Sequence, residues 1–105
     1  MNELVQRLSV GKHSVEASMR TEKTVAALKE AIDRGYVHIK FLETKGGTEL
    51  GVNLDKSACD FTQADFVKEI GNVHIVGDLS LNYVKVKCIA DIKLETLSGK
   101  GYLSL

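Results

Sequence analysis

From Asn72 to Leu105 apolar and polar residues alternate with a period of two, and this limits the chain to folds built around an antiparallel ladder. Val73, Ile75, Leu79 and Leu81 share one parity, and His74, Asp78, Ser80 and Asn82 share the other. The next run repeats the pattern at greater length. Val84, Val86, Cys88, Ala90, Ile92 and Leu94 face one way, and Lys85, Lys87, Asp91, Lys93 and Glu95 face the other, with Ile89 the exception. Three strands are predicted: Asn72–Leu81, Val84–Leu94 and Gly101–Leu105. A hairpin turn is expected at Asn82-Tyr83, where the parity breaks. A second turn is expected at Ser98-Gly99-Lys100-Gly101, with two glycines for positive φ. Gly77 falls on the apolar parity, where a missing side chain marks a bulge or a close approach. The last strand is expected to present an open edge that a second copy of the chain can pair, giving a homodimer.

Upstream, the pattern supplies more strands and a helix. Leu4, Val5 and Leu8 form a short apolar stripe at helical spacing between Asn2 and Gly11, with Asn2 as its cap. Val15, Ala17 and Met19 alternate with polar residues from Lys12 to Arg20, which predicts a strand. Thr21 to Gly35 carries the clearest helical signal. Thr21 is the expected N-cap, Val25, Leu28 and Ile32 make one apolar face, Glu30 and Arg34 pair at i, i+4, and Gly35 is the stop. Tyr36 to Thr44 and Thr48 to Asp55 alternate around Lys45-Gly46-Gly47 and predict a hairpin. Phe61 to Ile70 fits a short helix with Thr62 as its cap. Gly35-Tyr36-Val37-His38-Ile39 and Gly71-Asn72-Val73-His74-Ile75 match at four of five positions, a faint sign of a repeated helix–strand unit.

The 105 residues make a single α+β domain spanning 1–105. The expected architecture is a curved, mainly antiparallel sheet of five or six strands, with one main helix packed on its concave apolar face and a short N-terminal helix. Fourteen basic residues balance fourteen acidic ones, which argues against a nucleic-acid binder. No apolar run reaches the ~18 residues of a membrane span. Met1-Asn2-Glu3-Leu4 has neither the charged nor the apolar region of a signal peptide. Two cysteines are too few for a disulfide framework, so a cytoplasmic protein with reduced thiols is expected.

No motif points to catalysis, a cofactor or a metal. His38 and His74 lie on the polar parity of two strands, without the spacing of a ligand pair. Cys88 lies on an apolar face, and Cys59 has Asp60 beside it, which opposes thiolate formation. Asn53, Asp55, Ser57, Asp60 and Asp65 are rich in oxygen but lack EF-hand spacing. Lys40, Lys85, Lys87 and Lys93 make a basic stripe that Glu43, Asp91 and Glu95 interrupt. Leu42 and Ile89 stand out as apolar residues on otherwise polar faces, the mark of a contact surface. The expected function is therefore a non-catalytic binding or accessory module acting through its sheet surface or edge strand. Its partner is a protein or a second copy, and Leu42, Ile89, Leu103 and Leu105 are the interface. The alternative is a small-ligand carrier or enzyme with a pocket between helix and sheet, for which His38, His74 and Tyr83 supply the polar groups.

Overall fold

The computed structural model describes residues 3–18, 24–44, 46–81 and 83–104. Of the residues given roles above, Asn2, Met19, Arg20, Thr21, Lys45, Asn82 and Leu105 lie outside the described residues. The elements run α1 (Glu3–Leu8), β1 (His13–Ser18), α2 (Val25–Arg34), β2 (Tyr36–Phe41), β3 (Thr48–Leu54), β4 (Ala64–Asp65), β5 (Ile70–Leu81), β6 (Val84–Lys93) and β7 (Ser98–Ser104).

Six of these strands close on themselves. The neighbours run β3-β2-β1-β7-β6-β5, and β5 then pairs back with β3, every pairing antiparallel. The result is a closed six-stranded barrel, with β4 paired outside it on the start of β5. This corrects the expected α+β architecture. The described residues are mostly strand, their helix is confined to the short α1 and α2, and no main helix among them packs on an open sheet. The physical reason is that the apolar faces cover one another. Val15, Ile39, Phe41, Val52, Ile75, Cys88, Ile92 and Leu103 are all buried in one interior. A barrel this small fills with side chains, so no apolar sheet face remains for a long helix to cover. Closure also removes the expected open edge, because β7 pairs with β6 on one side and with β1 on the other.

Local chemistry explains where the elements stop. Thr24, with φ −136 and ψ 158, caps α2, and its Oγ1 accepts the Ala27 N–H at 3.1 Å. Gly35 ends the helix at φ 82, donating its N–H to the Ala31 and Ile32 carbonyls. Val25, Leu28, Ala31 and Ile32 are the face that α2 buries.

Two local expectations fail for identifiable reasons. Phe61–Ile70 is not helical. Asp60 Oδ1 accepts from the Thr62 amide and hydroxyl, and Asp65 Oδ1 accepts from the Val67 and Lys68 amides. Such bonds compete with the helical ladder, and pairing of Asp60 with His74 and of Ala64 with Gly71 draws the segment along β5. Gly71 shares a positive φ with Gly35, but without a helix before it the helix–strand unit is not repeated. Ser98–Gly101 is likewise not a turn. The chain reverses at 94–97, where Leu97 has φ 56 and donates its N–H to the Lys93 carbonyl. Gly99 lies inside β7, where a Cβ would overlap the Asp91 carbonyl oxygen, so glycine serves close strand approach there.

Closure between β3 and β5 depends on Gly77. Their ladder has two register pairs, Asn53 with Asp78 and Leu54 with Gly77. A Cβ on Gly77 would overlap both the Asn53 carbonyl oxygen and the Val52 Cγ1. Gly77→Ala is therefore expected to destabilise the protein by about 1–3 kcal/mol, the usual range for overpacking, measured by urea unfolding. An unchanged midpoint would show that β3 and β5 do not approach this closely.

The candidate docking seam

The β3–β5 closure is incomplete, and backbone parity shows how. The Asp55 amide donates to the Val76 carbonyl on β5, and the Leu54 amide donates to the Gly35 carbonyl just before β2. Successive residues of a strand aim their polar groups to opposite sides. In β3, Asn53, Gly51 and Glu49 therefore aim theirs at β5. In β5, the Leu94 amide donates to the Gly71 carbonyl on the β6 side, so Asp78 and Ser80 aim theirs at β3. The ladder ends at Asn53–Asp78. Beyond it Gly51 and Ser80 face one another without pairing, and the barrel wall splits into a seam.

A cavity of about 430 Å³ opens at this split. It is lined by Asn53 of β3, by Asp78, Leu79 and Ser80 of β5, and by Lys85, Val86 and Lys87 of the paired strand β6. The outward residues make ordered rows: Asp78 stands opposite Lys87, and Ser80 stands opposite Lys85. On the β3 side the strand is flat at Gly51, because the Tyr36 phenol occupies the space a Cβ would take there. Tyr36 is 42% exposed and meets His38 edge-on with ring centroids 5.1 Å apart. The seam thus offers unpaired backbone on two strands, an aromatic ring beside it, and charges of both signs.

The residues singled out from the sequence are spread around the barrel. His38 sits on β2 between Ser18 and Gly51. His74 lies on β5, and its Nδ1 is 2.7 Å from Asp91 Oδ1. Tyr83 is at the β5–β6 turn and fully exposed. None of the three lines the seam cavity or the one between the start of α2 and the 94–97 turn. Leu42 is 43% exposed just past β2, while Ile89 is half-buried in a row with Val76 and Tyr102. Leu103 faces the interior and is buried.

Other polar groups hold the loops in place. The Cys59 thiol donates to the Val76 carbonyl and accepts from the Val76 amide, at 3.3 Å each. Burial pushes this thiol above its ordinary value and pushes Cys88 to about 12. Hydrogen bonds from Ser57 lower the Asp55 carboxyl, and bonds from Thr62 lower that of Asp60. Among the described residues no three His, Cys, Asp or Glu side chains gather as a metal site requires, and no helix is long and apolar enough to cross a membrane.

The family model of the core binding factor beta subunit matches residues 3–105. The chain belongs to the core binding factor beta subunit family. That family consists of non-catalytic subunits that bind partner proteins, and this chain is an accessory protein-binding module of that kind. No individual curated protein matches it. Sequence reasoning missed Gly51, Ser80 and Lys85 as a group. The available signal was a pair of glycines, Gly51 and Gly77, in two strands that both alternate, which marks where backbones come close without side chains between them.

The loop after β2 is tied to the start of β1 through Glu43. Its carboxylate accepts from the Ser14 amide at 2.8 Å and lies 3.3 Å from the His13 ring, whose Nε2 is 2.9 Å from the Val10 carbonyl. The bond from Ser14 is the largest cause holding the Glu43 carboxyl below its ordinary 4.5, with His13 adding to it. The stability this group contributes is full above pH 4.5 and is lost as the pH falls through its lower folded value. Glu43→Gln is therefore expected to lower the melting temperature at pH 6, with the gap from wild type closing below pH 4.5. A gap that stays constant down to pH 3 would contradict this anchoring.

Proposed function

We propose that the protein is a docking subunit for a transcription-factor partner, which it engages across the split between β3 and β5. The observation that carries this reading is the end of the ladder at Asn53–Asp78, with Gly51 and Ser80 unpaired beyond it. Unpaired strand edges accept an extended segment from another protein, whose main chain supplies the hydrogen bonds. Ordinarily a barrel leaves no such edge, so this seam replaces the last strand as the place where an edge is available. Family membership supports a protein rather than a small molecule as the occupant, because beta subunits of this family bind protein partners that are transcription factors. The mixed charge of Asp78, Lys85 and Lys87 suits recognition of a polar, extended segment and gives register along the groove.

The test uses the partner that copurifies with the full chain, prepared separately and added back. Hydrogen–deuterium exchange is expected to show new protection at residues 49–53 and 78–87. Ser80→Arg, which fills the groove with a long charged side chain, is expected to weaken the complex by at least about tenfold without lowering the melting temperature. Protection confined to β1 and β7, on the other side of the barrel, would contradict the reading.

A further inference from the structure

Two observations meet at Tyr83. Its backbone has φ 70, in the left-handed region, and its side chain is fully exposed. The last register pair of the β5–β6 hairpin is Leu81 with Val84, so a two-residue connection joins the strands. Such connections favour glycine or asparagine where φ is positive, and an aromatic residue there is a marked departure. Strain of this kind persists where the surroundings enforce it or function needs it.

The other non-glycine residues with positive φ show the difference. Leu97, at φ 56, is buried, so its side chain repays the conformation through core contacts. Glu69, at φ 59, is exposed but carries a charged chain suited to water. Among the described residues, Tyr83 has neither explanation. Its place does suggest one: Ser80 and Lys85, which line the seam cavity, pair with one another just before the turn that carries Tyr83, so the turn adjoins the groove although Tyr83 does not itself line it. The charge beside it also has no answer in its own row, since Lys87 stands opposite Asp78 but Lys85 stands opposite Ser80.

We propose that Tyr83 is the anchor of the docking surface: its ring enters an apolar pocket of the partner protein, and a partner carboxylate at the mouth of that pocket meets Lys85. The inference rests on the seam being the docking surface. Tyrosine suits this role, because it brings a large rigid ring with a polar tip and loses little conformational freedom on binding. A strained, displayed ring also explains why glycine, which fits the turn better, is not used.

The anchor role and a structural role predict opposite effects. Tyr83→Gly relieves the backbone, so its melting temperature should equal or exceed that of wild type. Its affinity for the copurified, separately prepared transcription-factor partner should fall about 30-fold, as for an interface hot spot, by calorimetry. Tyr83→Phe should retain most of the affinity. Lys85→Ser should weaken binding more at low salt than at high salt. Affinity within twofold of wild type for Tyr83→Gly, with Ser80→Arg still weakening the complex, would overturn the anchor and leave the seam standing. Tight binding by both variants would overturn the seam and the anchor together. A lowered melting temperature in both Tyr83→Gly and Tyr83→Asn would show that the ring supports the fold, and would also overturn the proposal. No weakening by Lys85→Ser at either salt concentration would overturn the partner carboxylate.

Discussion

The approach of β5 to β3 at Gly77 is the contact on which the rest of the structure depends. Five of the six barrel interfaces join strands over at least four register pairs each. The sixth has two, and it forms only because Gly77 places no side chain between the backbones. Without it β3 and β5 are two free edges, and the inward apolar faces are no longer enclosed by a continuous wall. Closing the sheet buries the inward residues of all six strands against one another, which is why two short helices suffice.

The same contact creates the site. Two register pairs hold the strands at one point, and the pairing stops beyond Asn53–Asp78. The split between Gly51 and Ser80 is thus a consequence of how the barrel closes, not a separate feature added to it. Backbone groups that would be satisfied in a complete barrel are left facing a groove. That exposed backbone is the chemical basis of the docking surface proposed above.

Much of the strand content was legible because burial follows parity. Val73, Ile75 and Leu79 in β5, and Val86, Cys88, Ala90 and Ile92 in β6, are buried as the alternation predicts. The helix stop at Gly35 was equally readable from a glycine after an apolar stripe. Closure was not legible, since alternation gives the inward face of a strand but not its neighbour, and the pairing of β5 with β3 spans residues 53 to 78. Gly77 held the clue as a glycine on an apolar face, yet a bulge and a close approach look alike in sequence. Phe61–Ile70 misled because its apolar spacing suits a helix, while Asp60 and Asp65 spend their carboxylates on local turns. His38, His74 and Tyr83 lie in three parts of the barrel because strand order, which no local pattern encodes, sets their distances.

Residue-resolved amide exchange on the free protein, followed by NMR, tests the central claim most directly. The account predicts slow exchange at Asp55, whose amide donates to the Val76 carbonyl just past the β3–β5 ladder, and at Asp78 within it, and fast exchange at Gly51 and Ser80, which aim at one another across the split. Equal protection at all four amides would mean that the wall is continuous and that no seam exists for a partner to enter.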